Sequence, residues 1–222
     1  MLGFDEFELD LAQSLLQQLP PKFANLAPAA LTNTNTQTIP DKAQGAYLLF
    51  QKGVLVYVGK SDAEMGLRRR LERHSSKIQQ RKNLVPADIE YKALSIFSFH
   101  VMDAETLLIK HYSSTLGTRP AWNDSGFGAN DPGRERDTTK VSRFDSMYPI
   151  DIDFPLNLRP HTLSNPCNAR DALQWLATQV PYVFRIDRAV PDLAATTLNP
   201  NTLFQAPVTM RSALQRICSV LK

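Results

Sequence analysis

The stretch that decides the fold is GAYLLFQKGVLVYVGKSDAEMGLRRRLERH, which runs from Gly45 to His74. Two apolar runs rich in β-forming residues, 46–50 and 54–58, flank the tripeptide QKG at 51–53. A short, glycine-containing loop between two such runs is typical of a β-hairpin. The sequence therefore predicts two adjacent antiparallel strands here.

The register of this hairpin decides whether two tyrosines meet. If the loop has three residues, Phe50 pairs with Val54, and Tyr47 lies directly opposite Tyr57. A bulge at Gly53 would shift that register. We expect the two phenol rings to face a common substrate rather than the protein interior.

The segment after the second strand is predicted to form an amphipathic helix. Ser61 and Glu64 have the spacing of a capping box, which predicts where the helix begins. Arg70 and His74 are four positions apart and therefore share one face. That face either aims both side chains at the tyrosine pair or is a solvated basic surface with a satisfied histidine, and the neighbouring tyrosines favour the first interpretation.

These motifs resemble the signature of the GIY-YIG nucleases. The tripeptide GAY at 45–47 matches the first half of that signature, and YVG at 57–59 matches the second half. Ala46 and Val58 stand where the family name has isoleucines, and both are apolar. The resemblance covers residues 45–123.

Further residues follow in the order that this family requires. Arg70, with His74 one turn later, matches the arginine of the next helix. Glu105 in DAETLLIKHY matches a glutamate at the start of a later helix, and Asn123 in RPAWN matches an asparagine beyond it. The resemblance implies that Asn123 positions either the Glu105 helix or a water molecule.

The resemblance also implies the fold class and the organisation of the chain. We expect a mixed α/β (α+β) fold with a small antiparallel three-stranded sheet flanked by helices, whose third strand lies within residues 88–101. The nuclease core is predicted over residues 45–130. Residues 1–44 are predicted to form a helix and an arm for dimer or DNA contacts, and residues 131–222 a C-terminal α/β extension for DNA recognition and packing.

The two ends of the chain carry weaker patterns. Phe4–Leu19 is predicted to be a helix that stops at a proline pair, and Asn25–Gln44 to be either a mobile linker or an arm that wraps a partner subunit or DNA. Helices are predicted over Pro166–Val180 and Met210–Leu221, with a strand over Tyr182–Ile186. No internal repeat is evident along the sequence.

The candidate residues have the chemistry that phosphodiester hydrolysis needs. The resemblance implies that Glu105 holds one Mg²⁺ per active site, because this hard cation prefers oxygen ligands and keeps several waters. Arg70 would bind the nonbridging phosphate oxygens. Either Tyr47 or Tyr57 would be the general base, with His74 accepting or relaying the proton. The sequence leaves open which tyrosine has that role.

A tyrosine base requires a perturbed environment, since a phenol ordinarily titrates near pH 10. We expect the charges of Arg70, Lys60 and the metal to lower the pKa of the tyrosine that acts as base. Basic residues around the site are candidates for DNA contact. They are Lys60, Arg68, Arg69, Arg73, Arg134, Arg136, Lys140 and Arg143.

Composition limits the remaining possibilities. The formal net charge is +3 and the pI about 8.9, so the clustering of the basic residues points to DNA more than their number does. No apolar run is long enough to span a membrane. The two cysteines, Cys167 and Cys218, lack metal-ligand spacing, and we expect both to be reduced core residues of a cytoplasmic protein.

Within the superfamily, the chain resembles restriction endonucleases, in particular the isoschizomers of SacII, which cut CCGCGG. The resemblance implies a Mg²⁺-dependent type II enzyme of a restriction-modification system that cuts double-stranded DNA at a palindromic, GC-rich site. It also implies a homodimer, because each module carries one site and a palindrome needs two cuts. The alternatives are a structure-specific repair nuclease and a non-catalytic DNA-binding protein on a GIY-YIG scaffold.

Overall fold

The computed structural model describes residues 10–61, 64–97, 104–124, 126–127, 140–186 and 193–221, together with positions 3, 6 and 138. The chain forms two compact units. Unit 1 comprises residues 1–75 and 83–148, and unit 2 comprises residues 76–82 and 149–222. The predicted division into an N-terminal helix and arm, a nuclease core and a C-terminal extension assigns a role to each segment, and these roles stay a prediction.

Unit 1 is built on a four-stranded antiparallel sheet with the order β1-β4-β2-β3. The strands are β1 (Ala29–Ala30), β2 (Gly45–Gln51), β3 (Val54–Lys60) and β4 (Ile89–Ser95). The mixed α/β fold and the antiparallel sheet are therefore confirmed. The sheet has one more strand than expected, because two residues of the predicted arm pair with β4.

The hairpin loop differs from the prediction. It has two residues, Lys52 and Gly53, and Gln51 pairs directly with Val54. Both loop residues have positive φ angles, +51° and +76°. Positive φ at both central positions is the requirement of the primed turn whose twist matches that of antiparallel strands.

The register of the two tyrosines also differs from the prediction. Tyr47 pairs with Gly59, and Tyr57 pairs with Leu49, so the two tyrosines are diagonal neighbours on one face of the sheet. A register shift next to Leu49 leaves Val56 as the extra residue on β3. The bulge thus lies within the strand and not at the turn, which the alternation of apolar residues did not reveal.

The helices of unit 1 cover both faces of the sheet. They are α1 (Leu11–Asn25), α2 (Asn33–Thr36), α3 (Gly66–Lys77), α4 (Ala104–Leu116) and α5 (Arg143–Met147). Leu19 and Phe23 of α1 and Leu108 of α4 pack with Leu48 and Val58 in one apolar cluster. Since Tyr47 and Tyr57 alternate with those strand residues, they lie on the other face.

Helix α1 does not stop where the sequence predicted. It continues through Pro20 and Pro21 to Asn25, and the part of the prediction before Asp10 falls mostly outside the described residues. A proline inside a helix costs about 3 kcal/mol or more. Burial of Phe23, which is 1% exposed, offsets part of that cost because it extends the apolar face of the helix.

The predicted arm is an ordered part of unit 1. Leu31 and Thr36 are buried. The Ser75 hydroxyl donates a hydrogen bond to the Leu31 carbonyl (3.2 Å), and the Tyr91 hydroxyl donates one to the Asn35 carbonyl (3.1 Å). These contacts favour a fixed segment over a mobile linker, and its contact with a partner subunit or DNA stays a prediction.

Two further details of unit 1 correct the sequence analysis. Ser61 does not begin a helix: it extends the hairpin, with its amide donating to the Gly45 carbonyl (2.9 Å) and its hydroxyl accepting from the Gly45 amide (2.9 Å). Helix α3 begins later, at Gly66. The third long strand, predicted within residues 88–101, ends at Ser95, and Phe97 beyond it is 95% exposed.

Within the described residues, besides a short 3₁₀ helix at Pro160–Thr162, unit 2 contains four two-residue strands and three α-helices. They are β5 (Pro155–Leu156), β6 (Cys167–Asn168), α6 (Ala169–Thr178), β7 (Thr197–Leu198), α7 (Pro200–Leu203), β8 (Val208–Thr209) and α8 (Met210–Val220). The two predicted helices are confirmed with shorter bounds, whereas residues 182–186 form no strand. Cys167 is buried as expected, but Cys218 is exposed.

Unit 2 is an internal repeat that the sequence analysis missed. The segments PCNARDALQ (166–174) and PVTMRSALQ (207–215) each contain a short strand followed by a helix. The helix caps correspond: the side chain of Asn168 accepts from the Asp171 amide, and that of Thr209 from the Ser212 amide.

The strands of the two copies pair reciprocally. β5 of the first copy pairs with β8 of the second, and β7 of the second copy pairs with β6 of the first. The main-chain hydrogen bonds correspond too: the Arg170 amide donates to the Leu193 carbonyl and the Arg211 amide to the Ile152 carbonyl, both at 3.0 Å. Each short sheet of unit 2 therefore contains one strand from each copy.

None of the helices in the described residues combines the length and the apolar character that crossing a membrane requires.

Candidate active site

Strands β2 and β3 bring the two candidate tyrosines together. The ring centroids of Tyr47 and Tyr57 are 6.0 Å apart. A Cβ atom at Gly59 would lie 2.4 Å from the Tyr47 hydroxyl oxygen and 2.6 Å from Cε1 of Tyr57. Only glycine fits there without displacing a ring, so Gly59 is a site residue whose role the sequence analysis did not recognise.

Helix α3 adds two polar groups to the same cluster. Nε2 of His74 is 2.7 Å from the Tyr47 hydroxyl oxygen, and Nε of Arg70 donates to that oxygen at 3.3 Å. The helix is fixed in place by Leu67 and Leu71, which are buried on the same side. The predicted face of α3 therefore does aim its arginine and histidine at the tyrosines.

The cluster is more enclosed than the sequence analysis expected. Tyr47 is 0% exposed, and Tyr57 and His74 are each 2% exposed, so the expectation of rings that face outward is wrong. Arg70 and Glu105 are partly exposed. Of these five residues, the arginine and the glutamate are the ones that solvent reaches, while the rings themselves pack in the protein.

Burial dominates the titration of the phenols. It raises the pKa of Tyr47 well above the ordinary value, and the neighbouring Tyr57 raises it further. Burial also raises the pKa of Tyr57, followed by the charge of Glu105. Arg70 lowers both pKa values as expected, but it does not outweigh burial. The protein groups alone thus keep both phenols protonated at neutral pH.

Arg70 keeps its charge in this environment. Burial on its own lowers the pKa of the guanidinium, but the interactions with Tyr47 and Tyr57 outweigh that effect, and the net pKa is raised. A charged guanidinium presents donors in the geometry that matches phosphate oxygens. Arg70 is therefore suited to bind an anion next to the two hydroxyl groups.

Glu105 is electrostatically coupled to the same cluster. It lies in the first turn of α4 and raises the pKa of both Tyr47 and Tyr57. Within the described residues, no group of three or more His, Cys, Asp or Glu side chains could hold a metal ion. A single, partly exposed carboxylate fits Mg²⁺, which commonly binds one or two carboxylates and retains several waters.

Asn123 supports strand β3, which is an edge strand of the sheet. Its amide nitrogen donates to the Val58 carbonyl and its amide oxygen accepts from the Val58 amide, both at 2.8 Å. Val58 lies between Tyr57 and Gly59. The side chain therefore fixes the strand that carries the site, and its expected role in positioning the Glu105 helix or a water stays a prediction.

The basic candidates for DNA contact fall into three groups. Arg68 forms ion pairs with Asp41 and Glu72, and Arg143 forms one with Asp124. The side chains of the second group are partly or fully exposed: they are Lys60, Arg69, Arg73 and Lys140. Arg134 and Arg136 lie outside the described residues.

Sequence analysis overlooked one aromatic residue of the site, Phe127. Its ring stacks on the His74 imidazole, with centroids 4.6 Å apart and planes 13° from parallel. Its neighbour Trp122 is 1% exposed, so it anchors the loop after α4 in the core. No periodic pattern marks this loop, and a phenylalanine between two glycines gave no local signal.

Comparison with known protein families agrees with this arrangement. Residues 57–152 match a family model described as the Eco29kI GIY-YIG domain. The match supports the GIY-YIG superfamily, and with it a nuclease that acts on DNA. The matched segment contains Tyr57, Arg70, His74, Glu105 and Asn123. A search of curated proteins gave no match.

Proposed function

We propose that this protein is a type II restriction endonuclease that hydrolyses phosphodiester bonds of double-stranded DNA with Mg²⁺. The observation that carries the proposal is the hydrogen-bonded contact between Tyr47 and His74, beside Arg70, in a chain that matches a GIY-YIG domain. It joins a proton-transfer pair to an anion-binding group. A nuclease site needs both functions next to one phosphate.

Arg70 binds the phosphate. The scissile phosphate approaches along the two partly exposed groups, Arg70 and Glu105. Arg70 donates hydrogen bonds to the nonbridging oxygens and stabilises the charge that develops in the transition state. Glu105 would hold the Mg²⁺ ion, which would supply further positive charge for the phosphate and the departing oxygen.

Tyr47 and His74 transfer the proton together. The Tyr47 hydroxyl passes its proton to Nε2 of His74 while its oxygen accepts the proton of the attacking water. A free phenolate is then unnecessary, which agrees with the raised pKa of Tyr47. In this direction of transfer Nε2 must be the acceptor, so His74 starts as the neutral tautomer that carries its proton on Nδ1. We therefore assign the general base role to Tyr47 rather than Tyr57.

Specificity and assembly belong to the same proposal. We propose a cytoplasmic homodimer of a restriction-modification system that cuts a palindromic, GC-rich sequence such as CCGCGG. Arg69 and Arg73 contact DNA phosphates, because they are exposed one turn apart on α3. Arg134 and Arg136 read guanines, since a guanidinium can bond to guanine O6 and N7 together. Arg143 joins them only if its ion pair with Asp124 opens.

One experiment tests the function against its alternatives. The protein is incubated with plasmid DNA and with branched oligonucleotides in the presence of Mg²⁺, beside Glu105→Gln and the matched control Glu90→Gln. Glu90 lies on β4, where it pairs with Phe50 near the turn of the hairpin. Its replacement makes the same change from a carboxylate to an amide. We expect discrete plasmid bands for the wild type and Glu90→Gln, and binding without cleavage for Glu105→Gln.

The other outcomes have distinct meanings. Cleavage confined to the branched oligonucleotides would indicate a repair nuclease. DNA binding without any cleavage by the wild type would indicate a non-catalytic binding protein. Cleavage at the wild-type rate by Glu105→Gln would show that this carboxylate does not hold the metal.

A further inference from the structure

The loop that follows Asn123 places one aromatic ring against the proposed proton path. Besides its stacking on His74, the Phe127 ring meets the edge of Tyr57, with centroids 5.1 Å apart and planes at 72°. Phe127 is 2% exposed. One apolar side chain from outside the hairpin and α3 thus contacts two rings of the candidate site.

The position of Phe127 is fixed by the residues around it. The ring centroids of Trp122 and Phe144 are each 4.7 Å from that of Phe127. The preceding Gly126 has a φ of +87°, and a Cβ there would lie 1.8 Å from the Ser142 hydroxyl oxygen. The backbone conformation and the packing therefore hold this ring in one place.

Packing as well as hydrogen bonding sets the orientation of the His74 imidazole. The hydrogen bond with Tyr47 holds Nε2, and the rings of Tyr47 and Tyr57 lie 5.5 and 5.4 Å from the imidazole at tilted or edge-on angles. The torsion that turns an imidazole about its Cβ–Cγ bond has broad minima, so contacts with the face of the ring matter for its plane. A flat ring lying parallel to the imidazole, as Phe127 does, limits that rotation.

We propose that Phe127 is a positioning residue of the nuclease site, whose ring holds the His74 imidazole so that Nε2 stays on the Tyr47 hydroxyl. The proposal rests on the proposed function, in which His74 accepts the proton of Tyr47. In this proposal Phe127, which has no polar group, affects the cleavage rate through His74. A leucine at the same position fills part of the volume but lacks the flat face.

The test compares three variants of the full-length protein with Mg²⁺ and duplex DNA. Phe127→Leu removes the flat face, Phe127→Tyr keeps it, and Phe144→Leu makes the same change to another ring of the cluster. We expect kcat to fall about 100-fold in Phe127→Leu with KM unchanged. Phe127→Tyr is expected to keep most of the wild-type kcat. Phe144→Leu is expected to lower Tm and to lower kcat much less than Phe127→Leu does, because the flat face of Phe127 stays on His74.

Two results would overturn the proposal. One is a folded Phe127→Leu with the wild-type kcat. The other is an equal loss of kcat in Phe127→Leu and Phe144→Leu, which would indicate general loosening of the cluster. If Phe127→Leu does not fold, Phe127→Met replaces it, because the flexible methionine side chain fills irregular gaps.

A second measurement does not depend on cleavage. The ¹⁵N NMR signals of the His74 ring report the hydrogen bond at Nε2. We expect these signals to shift in Phe127→Leu and to stay in place in Phe144→Leu. If that holds but the wild type cuts no DNA, the positioning contact stands and the proposed nuclease function fails. If the wild type cuts DNA and the signals are the same in all variants, the function stands and the positioning role is wrong.

Discussion

At the scale of single residues, the two buried phenols determine how the protein responds to alkaline pH. In the folded state the pKa values of Tyr47 and Tyr57 lie above their ordinary value of 10.0. As the pH rises past that value, the unfolded chain loses these protons first. The unfolded state then binds fewer protons than the native state, so the free energy of unfolding falls with increasing pH.

We therefore expect stability to be lost above about pH 10 and the contribution of the phenols to be complete below it. The replacement Tyr47→Phe removes one of the two groups and should reduce the loss. Urea unfolding of both proteins at about pH 8 and about pH 11 measures the difference. An equal loss in the two proteins would mean that groups other than Tyr47 control the alkaline transition.

The close contact at Gly59 gives a second prediction. A methyl group in Gly59→Ala would displace the Tyr47 and Tyr57 rings, so we expect cleavage to fall by about 100-fold or more. The strain should cost about 1–3 kcal/mol of stability. Gly117→Ala is the control, because no atom lies within 4 Å of its Cβ position, while its φ of +70° adds a backbone strain that Gly59 does not have. A comparable loss of cleavage in the control would contradict the steric explanation.

Residue types were predicted better than their contacts. Tyr47, Arg70 and His74 stood out because their motif is local, and the structure brings them together. The role of Gly59 depends on a diagonal contact between strands, and that of Phe127 on the path of a loop. Both are set by packing between segments that are distant in the sequence, which a single sequence does not encode in any local pattern.

At the scale of secondary structure elements, edge strand β3 depends on one side chain. Asn123 satisfies both main-chain polar groups of Val58, a buried residue. An isosteric apolar replacement, Asn123→Leu, leaves those two groups unsatisfied. We expect it to lower the free energy of unfolding by about 2–6 kcal/mol, because each of the two orphaned buried groups costs about 1–3 kcal/mol.

Urea unfolding checks this value, and Asn35→Leu is a suitable control. The Asn35 side chain also donates to a main-chain carbonyl, that of Ala30, but this hydrogen bond is exposed to solvent. Similar stability changes in the two variants would mean that the Asn123 bridge contributes no more than a surface hydrogen bond. The cleavage rate of Asn123→Leu is measured under conditions in which the variant is folded. A reduced rate would show that β3 must be held by Asn123 for Tyr57 to be placed correctly.

The register of β2 and β3 and the length of α1 were not predicted correctly from the sequence. Alternating apolar residues predicted β2 and β3, but the bulge at Val56 shifted their register. Pro20 and Pro21 predicted a helix end, yet tertiary burial of Phe23 extended α1 past them. Local preferences amount to a few kcal/mol at most, and packing of a buried face outweighs them.

At the scale of the whole molecule, the reciprocal pairing in unit 2 makes its two copies interdependent. A chain truncated after Ile186 keeps β5 and β6 but loses both of their partners. We expect residues 149–186 of this chain to lose their protection from hydrogen exchange. Retained protection would show that the first copy folds by itself and that the strand pairs contribute little.

The repeat escaped notice in the sequence because its copies share few side chains. The two aligned segments agree in one proline, one arginine and the run ALQ, which are common in any helical region. Their relationship is evident in the strand partners and helix caps. Conserved geometry with divergent side chains is expected when packing needs only residues of suitable size and polarity.

The same pairing has an evolutionary meaning. Two identical chains, each the length of one copy of the unit 2 repeat, would form a two-fold symmetric dimer if they exchanged strands. Fusion of their genes would then produce the order of strands and helices seen in unit 2. The halves should then still recognise each other as separate polypeptides. If the chain is cleaved between Ile186 and Leu193, the fragments should reassociate through β5–β8 and β6–β7, and this reassembly would recover the ancestral complex in the test tube.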